Sequence, residues 1–456
     1  MLGSAAQNVI ALSDGLFLYY YSEVYNIGTT EFAAIGFVGV FYLIVASIGY
    51  GFSKGGQIMV ARRAGEGDDE GVGKTFYSMA YFELAMALGM FVLLMFVVPT
   101  FFGIFVNSES ILAQSLDYLS YRSWGVFFSY LGVSIIALYT GVARTNFIII
   151  DTLLLGAVNI GLNYMLIFGV GPFPEMGIGG AGLASTIAEV VAFVVFVVYI
   201  LFDKKIHRYF LFEAPRAKVE QLIDETGELV RSFRLPKVDR EIIRRMFNIA
   251  SPIVAQSVVG LGSSFMFFSM VENLGEQELA ISNLMRMIYL FLSVPIWGLC
   301  AGINTLSSNF IGQDKGYLVM PLAAKTAKLS VAITVLLALP VILFPGHILY
   351  PIFGSEEMTL IREGRDIFYI LGGIMATYAL GAVYFNALVS TGATFTGLTI
   401  QASSVVVYVI VVYAAVNITG SLELAWASEI VYWLCMLGIT YWYLYSDRWV
   451  KYTGRV

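Results

Sequence analysis

Asp14 sits inside an apolar stretch, where an ionised acid at the centre of a membrane helix costs roughly 2.5 to 3.5 kcal/mol on insertion scales. Such a charge requires partners, or a reason to titrate. Gln7 and Tyr21 lie seven residues before and after it on the same helical face, so the three form a polar stripe that should turn toward protein rather than lipid. Asn159 and Asn163 are one helical turn apart and share a face. Their amides can bond a carboxylate or offer carbonyl oxygens to a monovalent cation; equally, they can simply join helices by hydrogen bonds. Ser185 and Thr186 carry the same two readings. Glu83, Glu189 and Glu429 are further acids in apolar surroundings, without a polar partner set in the neighbouring sequence. The ion-coupling candidates are therefore Asp14, Asn159, Asn163 and Ser185. Gln7, Tyr21, Gln256, Asn283 and Arg286 are the polar residues expected at a substrate cleft.

The elements that must position these groups are membrane helices. Hydrophobic residues make up 58% of the 456 and charged residues 13%, against roughly 45 to 50% and 25% in soluble domains. Stretches such as Leu153 to Gly171 and Gly177 to Phe202 carry almost no charge. Two cysteines and two histidines give neither a disulfide framework nor a metal cluster. The apolar run from Met1 continues for a full span with no basic segment before it, and so reads as a first helix rather than a cleaved leader.

At about 20 apolar residues per span, six spans fall near 2–24, 34–61, 76–98, 118–142, 146–169 and 178–202, and six more near 246–272, 279–309, 321–345, 365–391, 395–418 and 421–445. The expected organisation is an amino-terminal lobe (1–202), a cytoplasmic linker (203–245), a carboxy-terminal lobe (246–445) and a short tail (446–456). With the amino terminus in the cytoplasm, 21 of the 26 Lys and Arg lie inside, 11 of them in the linker; the outer loops keep Arg122, Arg362 and Arg365. Cytoplasmic loops carry such an excess, so both termini are expected to face inward.

Shifting the second half by 247 residues aligns Asn26–Gly65 with Asn273–Gly312 without a gap, with nine of 40 positions identical, among them Gly28 with Gly275, Tyr42 with Tyr289 and Gly55 with Gly302. Matched glycine and polar positions point to duplication. Six spans per repeat make the halves parallel, related by a pseudo-twofold axis along the membrane normal. That predicts an all-α integral membrane fold of twelve helices in two six-helix lobes. Two motifs mislead. Gly177, Gly179 and Gly182 match a dinucleotide fingerprint but have no preceding strand, and packing through small residues explains them better. Gly73-Lys74-Thr75 lacks the first glycine of a phosphate loop, because Asp68 stands there. No nucleotide, nucleic-acid or enzymatic site is expected.

Several segments together resemble the multidrug and toxic compound extrusion (MATE) family: LSDGLFLYYYSEVYNIGTTEFAAIG, GGQIMVARRAGEGDD and NIGLNYMLIFGVGPFPEMGIGGAGLAST, with NLGEQELAIS and TLSSNFIGQDKG repeating the first two in the second half. The resemblance covers nearly the whole chain. It implies twelve helices, a V-shaped cleft, and export of organic, often cationic compounds in exchange for protons or sodium ions. The family's first-helix aspartate falls on Asp14 and its fifth-helix asparagine on Asn159; where some members carry a second acid one turn later, this chain has Asn163. At the positions of the family's second-lobe acids, span seven has Gly260 and span ten has no acid. The partner of Asp14 in the repeat is Leu261, so the acid belongs to one lobe only.

The expected mechanism is protonation of Asp14 from outside and its release inside, changing its bonds to Asn159 and Asn163 and repacking the first helix. One proton moving down 100 mV supplies about 2.3 kcal/mol, enough for roughly a 50-fold gradient of a neutral substrate. A small organic substrate and the bilayer are the expected partners, with H⁺ or Na⁺ as coupling ion, no other cofactor, a monomeric chain, and the bacterial inner membrane as its place. The alternative is a lipid-linked oligosaccharide flippase, which would require a more cationic central cavity.

Overall fold

The computed structural model describes residues 2–25, 30–106, 108–209, 211, 238–347 and 365–452. Among them there are helices and no strand, as expected where lipid cannot satisfy an open backbone. The chain divides into two compact units, Met1–Ala250 and Ser251–Val456. The segment expected to link them lies largely outside the described residues.

The first unit contains α1 (Leu2–Tyr25), α2 (Thr30–Glu66), α3 (Asp69–Val92), α4 (Val98–Phe105), α5 (Glu109–Gly141), α6 (Asn146–Ile167) and α7 (Gly177–Phe202). A π-helical turn at Leu93–Val97 joins α3 to α4, so the two form one membrane crossing with Pro99 at the restart. The second unit contains α8 (Arg240–Val271), which begins in the first, α9 (Glu276–Gly312), α10 (Val319–Leu343), α11 (Arg365–Ser390), α12 (Thr394–Ala414) and α13 (Leu422–Tyr445). Eleven helical stretches among the described residues are long and apolar enough to cross a membrane; α1 is a further helix of 24 residues.

The duplication is visible within each unit taken alone. In the first, the fourth crossing, α5, packs against α2, α3 and α7, while α6 packs on α7. In the second, α11 packs against α9, α10 and α13, while α12 packs on α13. The second crossings of the two units, α2 and α9, are each 37 residues long. Both run beyond the expected spans because their polar ends continue helically past the apolar core.

One boundary carries a consequence for the site. The fourth span was expected from residue 118, only four residues before Arg122, which was counted with the outer loops. Instead α5 starts at Glu109, with Ser108 accepting a bond from the Ile111 amide at its N-terminus. Arg122 is thus well inside a helix and fully buried. The polar residues Asp117, Ser120 and Arg122 lower the local hydropathy, which is why an apolar window began the span too late.

The two misleading motifs resolve as structure. Asp68 accepts a hydrogen bond from the Gly71 amide at 2.8 Å and caps α3, while Lys74 pairs with Glu70 at 2.8 Å. The glycines opening α7 are packing surfaces: a Cβ on Gly180 would lie 2.7 Å from the Leu166 carbonyl oxygen, and one on Gly182 would lie 2.6 Å from that of Tyr118. Close backbone approach brings α7 onto both α5 and α6. Gly182→Leu should therefore force the helices apart and destabilise the lobe by about 1–3 kcal/mol. Gly161→Leu, at a position whose Cβ would meet nothing within 4 Å, should leave stability near wild type. Thermal unfolding of the two variants in detergent checks the contrast.

Candidate ion-coupling site in the first lobe

The glycine-lined approach of α7 places Ser185, about one and a half turns beyond Gly180, against α1 and α6. There the fully buried Asp14 carboxylate receives four donors. Asn159 Nδ2 at 3.2 Å and Asn163 Nδ2 at 2.8 Å donate to Oδ1. Ser185 Oγ at 2.8 Å and the Tyr118 hydroxyl at 3.2 Å donate to Oδ2. The donors make further bonds: Asn159 Nδ2 donates to Ser185 Oγ at 3.0 Å, and Asn163 Nδ2 donates to Ser13 Oγ, next to Asp14 on α1, at 3.1 Å. Asn159, Asn163 and Ser185 are fully buried. One carboxylate thus ties α1 to α5, α6 and α7.

The two carboxylate oxygens are not equivalent. Oδ1 faces amide nitrogens, which only donate, whereas Oδ2 faces hydroxyls, which can also accept. A proton on Oδ2 is accommodated by turning Ser185 or Tyr118 from donor to acceptor; a proton on Oδ1 would meet two NH₂ groups. Protonation therefore belongs on Oδ2 and removes at least one donor bond from the cluster.

All four ion-coupling candidates meet here. Thr186 does not join them, since its hydroxyl donates to the Tyr121 carbonyl at 3.0 Å. The cleft candidates are scattered. The side chain of Gln7 lies outside the described residues, and the Tyr21 hydroxyl donates to Glu175 at 2.7 Å within its lobe. Gln256 is buried and donates to the Thr394 carbonyl at 3.0 Å. Asn283 and Arg286 are exposed one turn apart on α9, the guanidinium 5.0 Å from the Phe268 ring.

Sequence reasoning missed Tyr118 and the pair behind it. Arg122, hydrogen-bonded to Tyr118, forms a two-pronged pair with Glu189 at 2.6 and 2.8 Å and stacks 4.0 Å from the Tyr42 ring. Both side chains are almost wholly buried, at 1% and 3% exposure. Opposite charges isolated in two apolar helices were the available signal; their separation of 67 residues concealed it. A cavity of about 180 Å³ opens between α1, α2 and α5, lined by Ala11, Gly15, Gly39, Tyr42, Tyr118 and Arg122. Tyr118, which bonds Asp14, forms part of its wall. Among the rival acids, Glu83 is also fully buried, and neither of its carboxylate oxygens has a hydrogen-bond partner.

The model of the MatE family matches residues 1–165 and 252–414, a part of each unit. The chain belongs to the MatE family. Among MatE relatives, a probable multidrug resistance protein NorM of Rhizobium meliloti is 28% identical over 196 residues, covering 41% of this chain and 40% of that protein. A probable multidrug resistance protein NorM of Thermotoga maritima is 23% identical over 98% of this chain and 90% of its own length. A solved multidrug resistance MATE family transporter of the MOP superfamily, in an outward-facing conformation, superposes with a TM-score of 0.82 at 17% identity, covering 99% of this chain and 94% of that one. The MatE fold is thus common to this chain and a solved transporter despite little shared sequence.

Removing one member of a buried ion pair strands the other. Arg122→Gln should destabilise the lobe by about 3–5 kcal/mol, and the double variant Arg122→Gln/Glu189→Gln should recover most of that loss. Thermal midpoints of the three proteins in detergent measure the coupling; equal effects of the single and double variants would show the pair to be unimportant.

Proposed function

We propose that this MatE protein is a secondary antiporter exporting small organic, often cationic, compounds across the bacterial cytoplasmic membrane, with Asp14 as its coupling carboxylate. The observation that carries the reading is the Asp14 cluster: an acid with no access to lipid hydration, held by donors from three other helices. Ionised, it fastens α1 to the lobe. Protonated, it gives up donor bonds and frees α1 to repack, which changes the surface offered to substrate. The names of the relatives support drug export as the substrate class. A proton suits the cluster better than sodium, because both asparagines present their NH₂ groups to Asp14 and a metal ion would require their carbonyl oxygens.

In this reading both termini are cytoplasmic, the chain acts as a monomer, and the coupling ion is its only cofactor. The inner end of the first lobe is the basic one, where Arg144 pairs with Asp203 at 2.6 Å and Arg208 with Asp69 at 2.9 Å. Asn283 and Arg286, with polar ends exposed, are the cleft candidates retained for substrate contact; Tyr21 and Gln256 use theirs inside the lobes. The flippase alternative is disfavoured because Arg122, the cation beside the Asp14 cluster, is neutralised by Glu189.

Purified protein in liposomes tests the reading, with proton and sodium gradients imposed separately. A proton gradient should drive accumulation of an organic cation, and Asp14→Asn, which keeps shape and loses the titratable group, should remove the roughly 50-fold accumulation that one proton at 100 mV sustains. Full activity in Asp14→Asn, or drive by neither gradient, sinks the antiporter.

A further inference from the structure

Below the Asp14 cluster, toward the end where α6 begins and α7 finishes, two more acids share a small space. Glu189 follows Ser185 by one turn on α7, about 6 Å along the axis, and Asp151 precedes Asn159 by two turns on α6, about 12 Å. Both line a cavity of about 40 Å³ with Tyr50, Gly132 and Thr152, room for roughly two or three waters. Asp151 is 5% exposed, and its buried Oδ1 has no hydrogen-bond partner. An unpaired carboxylate oxygen in that setting calls for a proton or water. Tyr50 on α2 and Glu189 on α7 are the other titratable groups facing the cavity, and α5 brings Arg122 onto Glu189.

These contacts form a line from Asp14 through Tyr118 and Arg122 to Glu189, and across the cavity to Asp151. We propose that Glu189 and Asp151 are the inner leg of a proton passage from Asp14, with Arg122 exchanging partners as the proton moves. The step balances without any further reactant. Protonated Asp14 gives its proton to the Glu189 carboxylate while Arg122 turns to the newly ionised Asp14; one acid becomes neutral as the other becomes charged, and the single guanidinium always faces the charged one. Glu189 then passes the proton over cavity water to Asp151, which releases it to the inner side as Arg122 returns. During the transfer between Asp14 and Glu189 the guanidinium stays paired with whichever of the two is charged.

The inference rests on proton coupling at Asp14, and the test separates the two. In liposomes with wild-type protein driven by a proton gradient, Asp151→Asn should lower accumulation of the organic cation at least about tenfold, out of the roughly 50-fold that one proton sustains. Binding of the same cation to the variant in detergent should stay within about twofold, less than the tenfold that 1.4 kcal/mol represents. Gly132→Val adds bulk to the cavity wall on the α5 side without removing a carboxyl, and a Cβ there has room, meeting nothing within 4 Å; it should lower accumulation likewise. Asp151→Glu, which keeps a carboxyl at the cavity, should retain most of the drive. Wild-type accumulation in both Asp151→Asn and Gly132→Val overturns the passage and leaves Asp14 coupling standing. Absence of proton-driven accumulation in the wild type overturns both.

Discussion

Lipid cannot hydrate the carboxylate of Asp14, and the first lobe is arranged around that constraint. Every donor the acid receives comes from the protein, and the donors come from three different helices. A group of this kind is costly unless satisfied and informative once it is, because its charge state and the position of α1 cannot change independently. The same requirement explains the packing that surrounds it. Glycines at the start of α7 remove the side chains that would hold α7 away from α5 and α6, and only at that spacing does Ser185 reach Asp14.

The two lobes share a packing plan but not a chemistry. In each, the fourth crossing is surrounded by the second, third and sixth. Several hydrogen bonds that join helices in the second lobe are between neutral groups: Gln256 to Thr394, Gln401 to Gln256, Trp297 to Tyr378 and Trp426 to Ser282; Glu429 of α13 adds a bond to Tyr408 of α12. The first lobe differs in carrying an acid held by four donors beside a buried ion pair. Duplication reproduces backbone geometry, which many apolar sequences satisfy. A buried charge survives only where all of its partners are present, so it is not reproduced by architecture alone.

Arg122 illustrates how a charge in a membrane protein is to be understood. By itself in a sequence it is counted with the outer loops, close to the start of a span. Set against Glu189, Tyr42 and Tyr118, it is an internal counter-ion one contact removed from Asp14. Two planar hydrogen bonds to one carboxylate and a ring face for the remaining surface are a fit that lysine could not reproduce.

The sequence by itself determined the solvent, the twelve-helix duplicated plan and the individual polar residues worth watching, because the cost of placing charge or open backbone in hydrocarbon is local and can be read from one helix at a time. It singled out Asp14, Asn159, Asn163 and Ser185 for the same reason. Only the tertiary structure decided that these four meet, that Tyr118 completes the set, that Thr186 turns away, and that Arg122 and Glu189 pair across 67 residues. Those outcomes depend on the rotation and depth of each helix within the bundle, which backbone contacts at Gly180 and Gly182 set. No spacing along a single helix carries that information.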